Sequence, residues 1–516
     1  MTNPSAAGGK PDMKLFWACF IALVATSFVF GVRANTIGEL QGKFNLSEAQ
    51  KGTIQGAGMW PFALSIIFFS LLIDQIGYKT VALIAVVCHL VSLTLTLNAT
   101  GYQSFYWGTF LTAVANGTVE SFINPVVATL FPREKAKWLN ILHAGWPCGL
   151  ALGAAFCVSN TPLFFKEVWQ FRFALCFVPV IVYALLILPV RFPVQERVAA
   201  GIGYRDMLRE VGGVGFFMLG SLVFAAVMQL CNLSASLPVT LGVGAAIGIL
   251  AALLTGSAGN WLFIMVLIVI GPLATTELGT DSWMPELLKL SAPQGSDGIK
   301  FATWVFVYVS TIMTLLRFGA GPVVEKLSPI GLLCVGAFIS VVGLVFLSHA
   351  AGYVIIAAAT VYALGKTFLW STTLGMTSEQ FPKGGALTLN GVSAMGVLFL
   401  GVIGSPAIGY VQDVAVDLQL SKSQPALYQK VKGEPKASIF GNSPSLNQEA
   451  IKTLSGDDKT ALEVVQNENK KSTFLGIAIL PGFMLACYLG MFFWFKSRGG
   501  YKPVSIGHGA EAEPGF

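Results

Sequence analysis

Residues 114–140 read VANGTVESFINPVVATLFPREKAKWLN: an apolar, glycine-bearing run holding one carboxylate, Glu120, then Asn124-Pro125, and closing on a basic cluster. The same punctuation returns near the far end of the chain. Phe131-Pro132-Arg133, Ala136 and Leu139-Asn140 are echoed by Phe381-Pro382-Lys383, Ala386 and Leu389-Asn390, always displaced by 250 residues (381 minus 131). One half of the chain therefore repeats the other. The carboxylate stands in only one of them; its counterpart is Trp370.

Working outward, the run is one of many. Of 516 residues, 54% are hydrophobic and 11% charged, against roughly 25% charged in soluble domains. The mean hydropathy of +0.69 comes from separate apolar runs of about 20 residues, the length that crosses ~30 Å of hydrocarbon. Without water each run has to be a helix, which satisfies its own backbone. The net charge of +6 lies in loops between the runs, the pattern of the positive-inside rule, so it does not point to nucleic acid. The eight cysteines lie in or beside apolar runs with no CxxC pair, and the four histidines lack ligand spacing; neither disulfide nor metal is expected. The first apolar run is too long for a cleaved signal.

Candidate spans one to six are 15–37, 52–73, 80–98, 104–130, 138–159 and 171–190. The second half continues with 261–283, 301–319, 329–347, 352–376, 386–410 and 472–495. Shifting the start of span one by 250 residues lands inside the run 261–283, so the pair 214–231 and 237–256 reads as an inserted hairpin. The expectation is an all-α membrane protein of about 14 spans: two six-helix bundles in the same orientation plus the hairpin, the parallel repeat of the major facilitator fold. Its parts are a cytoplasmic tail 1–14, a bundle 15–190, a central cytoplasmic loop with the hairpin 191–259, a bundle 260–495 and a cytoplasmic tail 496–516. Within the second bundle, 411–471 reads as a long outer loop, a tether or a lid, with short amphipathic helices near Ser445 and Lys459. Basic residues after spans four and six put both termini in the cytoplasm of a multi-pass cell (inner) membrane protein, with Trp107 and Trp169 marking the outer interface.

An ionisable residue inside a span costs several kcal/mol unless something offsets it. Glu120, mid-span among Gly, Thr and Val, is the candidate for proton coupling. Asn124, four residues on, shares its helix face, and Pro125 frees a carbonyl and bends the axis. Lys366 and Trp370, four apart in span ten, are expected on one face toward a substrate, with Trp370 opposite Glu120 across the pseudo-two-fold axis. Glu277 in span seven is expected to be buried, to help bind substrate, and to pair with Arg33 of span one, its repeat partner. Gln55 and Asn35 are polar enough to orient substrate hydroxyls. Trp60 and Trp146 are interior, as packing or as substrate contacts. His89 and His143 read as packing residues. Asp74 with Gly77, in Asp-x-x-Gly-x-Lys after span two, suits a gating loop in which the carboxylate caps the next helix.

Several of these residues carry a resemblance. Glu120, Asn124-Pro125, Pro132 and Leu139-Asn140 resemble helices four and five of the proton-coupled fucose permeases and related sugar symporters of the major facilitator superfamily. Phe44-Asn45-Leu46, Gly52-Thr53-Ile54-Gln55 and Pro406-Ala407-Ile408-Gly409 with Asp413 are similar as well. The resemblance implies sugar–proton symport by alternating access, with Glu120 as the coupling carboxylate and Asn124 beside the sugar. A family aspartate of helix one falls on Ala34 here, and Arg33 and Lys366 keep open an organic-anion or drug carrier, including an exporter, of the same fold. A transport-dead membrane sensor is the alternative of another class. No enzyme constellation and no phosphate loop is found. The expected partners are a small-molecule substrate, protons and the lipid bilayer, with no cofactor and no metal, in a monomer.

Overall fold

The computed structural model describes residues 11–46, 48–157, 167–231, 233, 236–288, 291–438 and 441–506. Most of the expected tail 1–14 and the end of the tail 496–516 lie outside them. Thirteen helices among the described residues are long and apolar enough to cross a membrane. In chain order, with one addition, they are α1 Met13–Lys43, α2 Thr53–Ile76, α3 Tyr78–Leu97, α4 Tyr102–Leu130, α5 Lys135–Cys157, α6 Val168–Ile187, α7 Tyr204–Leu230 and α8 Leu237–Thr255. There follow α9 Trp261–Ser282, α10 Gly298–Phe318, α11 Pro329–His349, α12 Val354–Gln380, α13 Pro382–Ser423 and α14 Gly456–Ser497. The addition is α4, the helix of the opening stretch. Its polar residues dilute its apolarity, yet every residue from Ala115 to Thr129 is buried. A helix walled in by protein can carry polar groups that a lipid-facing one cannot.

Within the first bundle α1 packs on α5 and α6, and α4 on α2 and α3; within the second, α11 packs on α12 and α14, and α9 on α13. Between bundles α2 meets α13 and α5 meets α10. Exchanging the halves turns each of these contacts into the other, as a pseudo-two-fold requires. Side chains agree. The shift of 250 maps Asn140 onto Asn390 and Ser121 onto Ser371; Asn390 Nδ2 donates to the Ser121 carbonyl at 2.8 Å, and Ser371 Oγ donates to Asn140 Oδ1 at 2.6 Å. Corresponding helix ends meet at one face, so the halves run parallel. The outermost described segments lie there too: Phe16 packs edge-on against Phe131 and Trp138, and Tyr501 reaches Glu379 at the end of α12. We call it the terminal face. The hairpin α7–α8 docks through α7 on α13 and α9, while α8 turns Leu250, Leu253 and Leu254 outward, as lipid contact allows.

Two expectations change. The stretch 411–471 is no tether: α13 runs on to Ser423 and α14 begins at Gly456, with short helices Pro425–Val431 and Gln448–Thr453 and a hairpin of Lys436–Ser438 against Gly441–Ser443 between them. Leu420, Leu427, Val431, Leu462 and Val465 close a small core. Leu462 and Val465 are three apart and share a face, but only the neighbouring helix supplies the surface that buries them. Leu420→Ala should therefore cost this cap about 2–4 kcal/mol, seen as faster proteolysis of 411–471 with the membrane helices melting as before. Trp169, expected at a lipid interface, is instead buried against Phe44.

Candidate functional site

Between the bundles lies a narrow cavity lined by Phe62, Glu120, His143, Trp146, Glu277, Leu278, Arg317, Trp370, Ser393 and Val397. The repeat is legible in its walls: the 250-residue shift carries Glu120 to Trp370 and His143 to Ser393, and all four line it. On one wall Asn124 Nδ2 donates to Glu120 Oε2 at 2.8 Å, the helix-face pairing that a spacing of four allows, and His143 Nε2 meets Asn124 Oδ1 at 2.9 Å. Asn124 thus backs the cavity through Glu120 and His143. Glu120 has no ion pair among the described residues.

The opposite wall is built on a charge the sequence reading passed over. Arg317 of α10, 1% exposed, donates Nη2 to Glu277 Oε1 at 2.7 Å, Nε to the Thr367 carbonyl at 2.6 Å and Nη1 to the His143 carbonyl at 2.8 Å. The last bond crosses to the other bundle. Glu277 sits on a π-bulge, Thr275–Gly279, a local widening common at functional sites. It also accepts the Trp370 backbone N–H at 3.2 Å. That amide is available because α12 breaks: Lys366 ends one helical piece and Leu369 begins the next.

The break separates two residues expected on one face. Trp370 looks into the cavity, whereas Lys366 is fully buried outside its lining, paired with Asp281 and lying over the Tyr362 ring at 5.2 Å. The expected Arg33–Glu277 pair does not form. Glu277 belongs to Arg317, and Arg33 is buried over the Phe30 ring at 4.7 Å with no ion pair among the described residues. Helix rotation decided this, since it brings α10 rather than α1 against Glu277. Gln55 and Asn35 are exposed, with Asn35 bonding its own helix at Gly31, and neither lines the cavity. Trp60 packs edge-on against Phe110, also off the cavity.

At the terminal face the bundles are locked together. Pro125 lacks the N–H that would hold the Ser121 carbonyl, and that carbonyl accepts Asn390 instead; Asn390 also donates to Ser70 Oγ at 2.9 Å. Lys135 Nζ binds Glu196 at 2.6 Å and the Ser378 carbonyl at 3.3 Å, and Glu379 accepts the Ala136 N–H at 3.1 Å. Asp74 does not cap α3, whose N-cap is Gly77 at φ 83°, a backbone region suited to glycine. It pairs with Arg197 of the central loop. With its amide oriented so that Nε2 faces the Asp74 carboxylate, at 2.7 Å, Gln195 bridges Asp74 to the Ala386 N–H of the other bundle. Burial beside Glu379 pushes the Tyr501 hydroxyl pKa well up, so it stays a donor to that carboxylate at 2.6 Å.

Arg317 and Asn390 were the main omissions. Arg317 stands near the end of an apolar run, where an arginine reads as an interfacial flank; Asn390 was in the echo itself, unassigned. Among the described residues no group of three or more His, Cys, Asp or Glu could hold a metal ion.

A cavity with two buried carboxyls on its wall, held between two pseudo-symmetric bundles and closed at one membrane face, is the architecture of a solute carrier. The chain belongs to the Major Facilitator Superfamily, whose family model matches residues 16–287; it is a multi-pass membrane transporter of small molecules and not an enzyme. The outward-conformation structure of the transporter FucP, described in a further structure as the Escherichia coli fucose–proton symporter, is 16% identical and covers 91% of this chain and 99% of its own at a TM-score of 0.56. The human organic anion transporter MFSD10 is 11% identical, covering 93% and 100% at 0.58. A bacterial homologue of the human lysosomal transporter Spinster is 14% identical, covering 95% and 98% at 0.61. A gentisate transporter of Corynebacterium glutamicum is 25% identical over 141 residues, 27% of this chain. The match spans about a third (32%) of that curated relative's length.

Proposed function

We propose that this carrier moves a sugar together with a proton by alternating access, as a monomer in the cell membrane with both termini in the cytoplasm. The observation that carries the reading is Glu120: a carboxyl on the cavity wall, 4% exposed, hydrogen-bonded by Asn124 and without a cation. A proton is then the available way to offset its charge in a low-dielectric site. Protonation drives transport only by favouring one arrangement of the bundles over the other. The ionised form favours a cavity that water enters; the neutral form lets it close over substrate. Trp146 and Trp370 supply the apolar faces a sugar ring stacks on.

Glu120→Gln removes the titration and keeps the shape. In proteoliposomes it should abolish accumulation driven by a pH gradient and leave substrate exchange at equilibrium within a few-fold. Undiminished accumulation would sink the coupling role.

An organic anion is the second reading, favoured by the likeness to the gentisate transporter. Competition of uptake by neutral hexoses against sugar acids separates the two.

A further inference from the structure

Two residues of the cavity wall each carry a polar atom enclosed without a hydrogen-bond partner among the described residues: the Trp146 indole nitrogen and the Ser393 hydroxyl. Ser393 is 1% exposed. Buried polar groups are hydrogen-bonded with few exceptions, and each exception asks for an explanation such as a missing ligand. These two come from different bundles, Trp146 from α5 and Ser393 from α13, and they share one cavity with Glu120.

The cations nearby are already in use. Arg317 is shared among Glu277 and the carbonyls of Thr367 and His143, and Lys366 is paired with Asp281 outside the lining. The two partnerless groups are neutral, and the Glu120 carboxyl beside them has no cation among the described residues. An indole N–H can only donate, a hydroxyl donates or accepts, and a carboxylate accepts from a hydroxyl. A neutral polyol answers all three, because each of its hydroxyls is donor and acceptor at once. An ionised acid would enter a cavity with two carboxyls on its wall and no unpaired cation.

We propose that Trp146 and Ser393 are the specificity-determining contacts of the central site, clasping the hydroxyls of a neutral polyol from the two bundles. The assignment rests on the sugar reading above and narrows it. It also gives substrate a structural effect: a ligand held by both bundles ties them together around itself.

The test uses the full-length protein, with binding measured by thermal shift and calorimetry against D-glucose, D-xylose, L-fucose, D-gluconate and gentisate. Trp146→Phe keeps the ring and removes the N–H; Ser393→Ala removes the hydroxyl. Each should weaken the best neutral sugar about tenfold with the ligand-free melting temperature unchanged. One single-deoxy analogue should bind wild type as weakly as the variant, and lose nothing further in it. Unchanged affinity in either variant, with sugar binding intact, overturns the clasp and leaves the sugar reading standing. Stabilisation by D-gluconate or gentisate but by no neutral sugar, or by none of the five, overturns the sugar reading and the clasp with it.

Discussion

Arg317→Met is expected to destabilise the protein by about 3–5 kcal/mol and to reduce uptake to roughly 1% of wild type or less, the measure being substrate uptake in proteoliposomes beside unfolding in detergent. The variant strands three acceptors at once. Glu277, 2% exposed, is left as a buried charge without its cation, and the carbonyls of Thr367 and His143 lose their donors. An unpaired buried charge is the large part of that cost, so a second change should separate the causes. In Arg317→Met with Glu277→Gln the charge is gone, and about half or more of the lost stability should return, as buried pairs replaced together are often near neutral. Transport should stay low, because the bond from Arg317 to the His143 carbonyl joins the two bundles at the cavity. A single variant as stable as wild type would show that Glu277 is not charged in this state.

Gly375→Val should force the terminal face open. A Cβ on Gly375 would lie 2.6 Å from Ala136 Cα and 2.8 Å from its Cβ, closer than side chains approach. Ala136 belongs to the other bundle, at the start of α5, and backbone cannot swing aside as a long side chain would. Overpacking of this kind costs about 1–3 kcal/mol, which shifts the balance of closed and open forms by about five- to a hundredfold. The measurement is the labelling rate of Thr129→Cys, in a background without the native cysteines, by an impermeant maleimide from the terminal face. Thr129 lines the sealed interface beside Lys135, Gln195 and Phe381. The rate should rise about ten- to a hundredfold. An unchanged rate would mean that closure does not depend on this contact.

Much of the architecture was legible because its causes are local. Each 20-residue apolar run has one way to satisfy its backbone in lipid, and a displacement of 250 residues repeated across Phe-Pro, Ala and Leu-Asn reports a duplicated bundle. The hairpin α7–α8 emerged because it breaks that displacement. Glu120 and Asn124 were read as neighbours from a spacing of four, and the helix joins them. Even α4, too polar for a hydropathy criterion, was recognisable by its punctuation.

Choice of partner was a different matter. Which cation meets Glu277 depends on how α9 and α10 are rotated against each other, and no local period encodes that rotation. Arg317, 40 residues away, takes the place expected for Arg33. Lys366 and Trp370 were placed on one face by helical spacing, and the break at Thr367 and Phe368 sent one to Asp281 and the other to the cavity. The cap over 411–471 reads as polar loop because neither of its apolar faces is wide enough alone.

The pattern of apolar runs and its 250-residue repeat were thus enough for the number of membrane helices, their grouping into two like-oriented bundles and the one carboxyl in the first, since lipid leaves a backbone few alternatives. Only the tertiary structure decided which charges neutralise one another and which polar atoms are left facing the cavity. Those outcomes hang on contacts of about 3 Å between side chains from distant spans, where a small turn of a helix exchanges one partner for another.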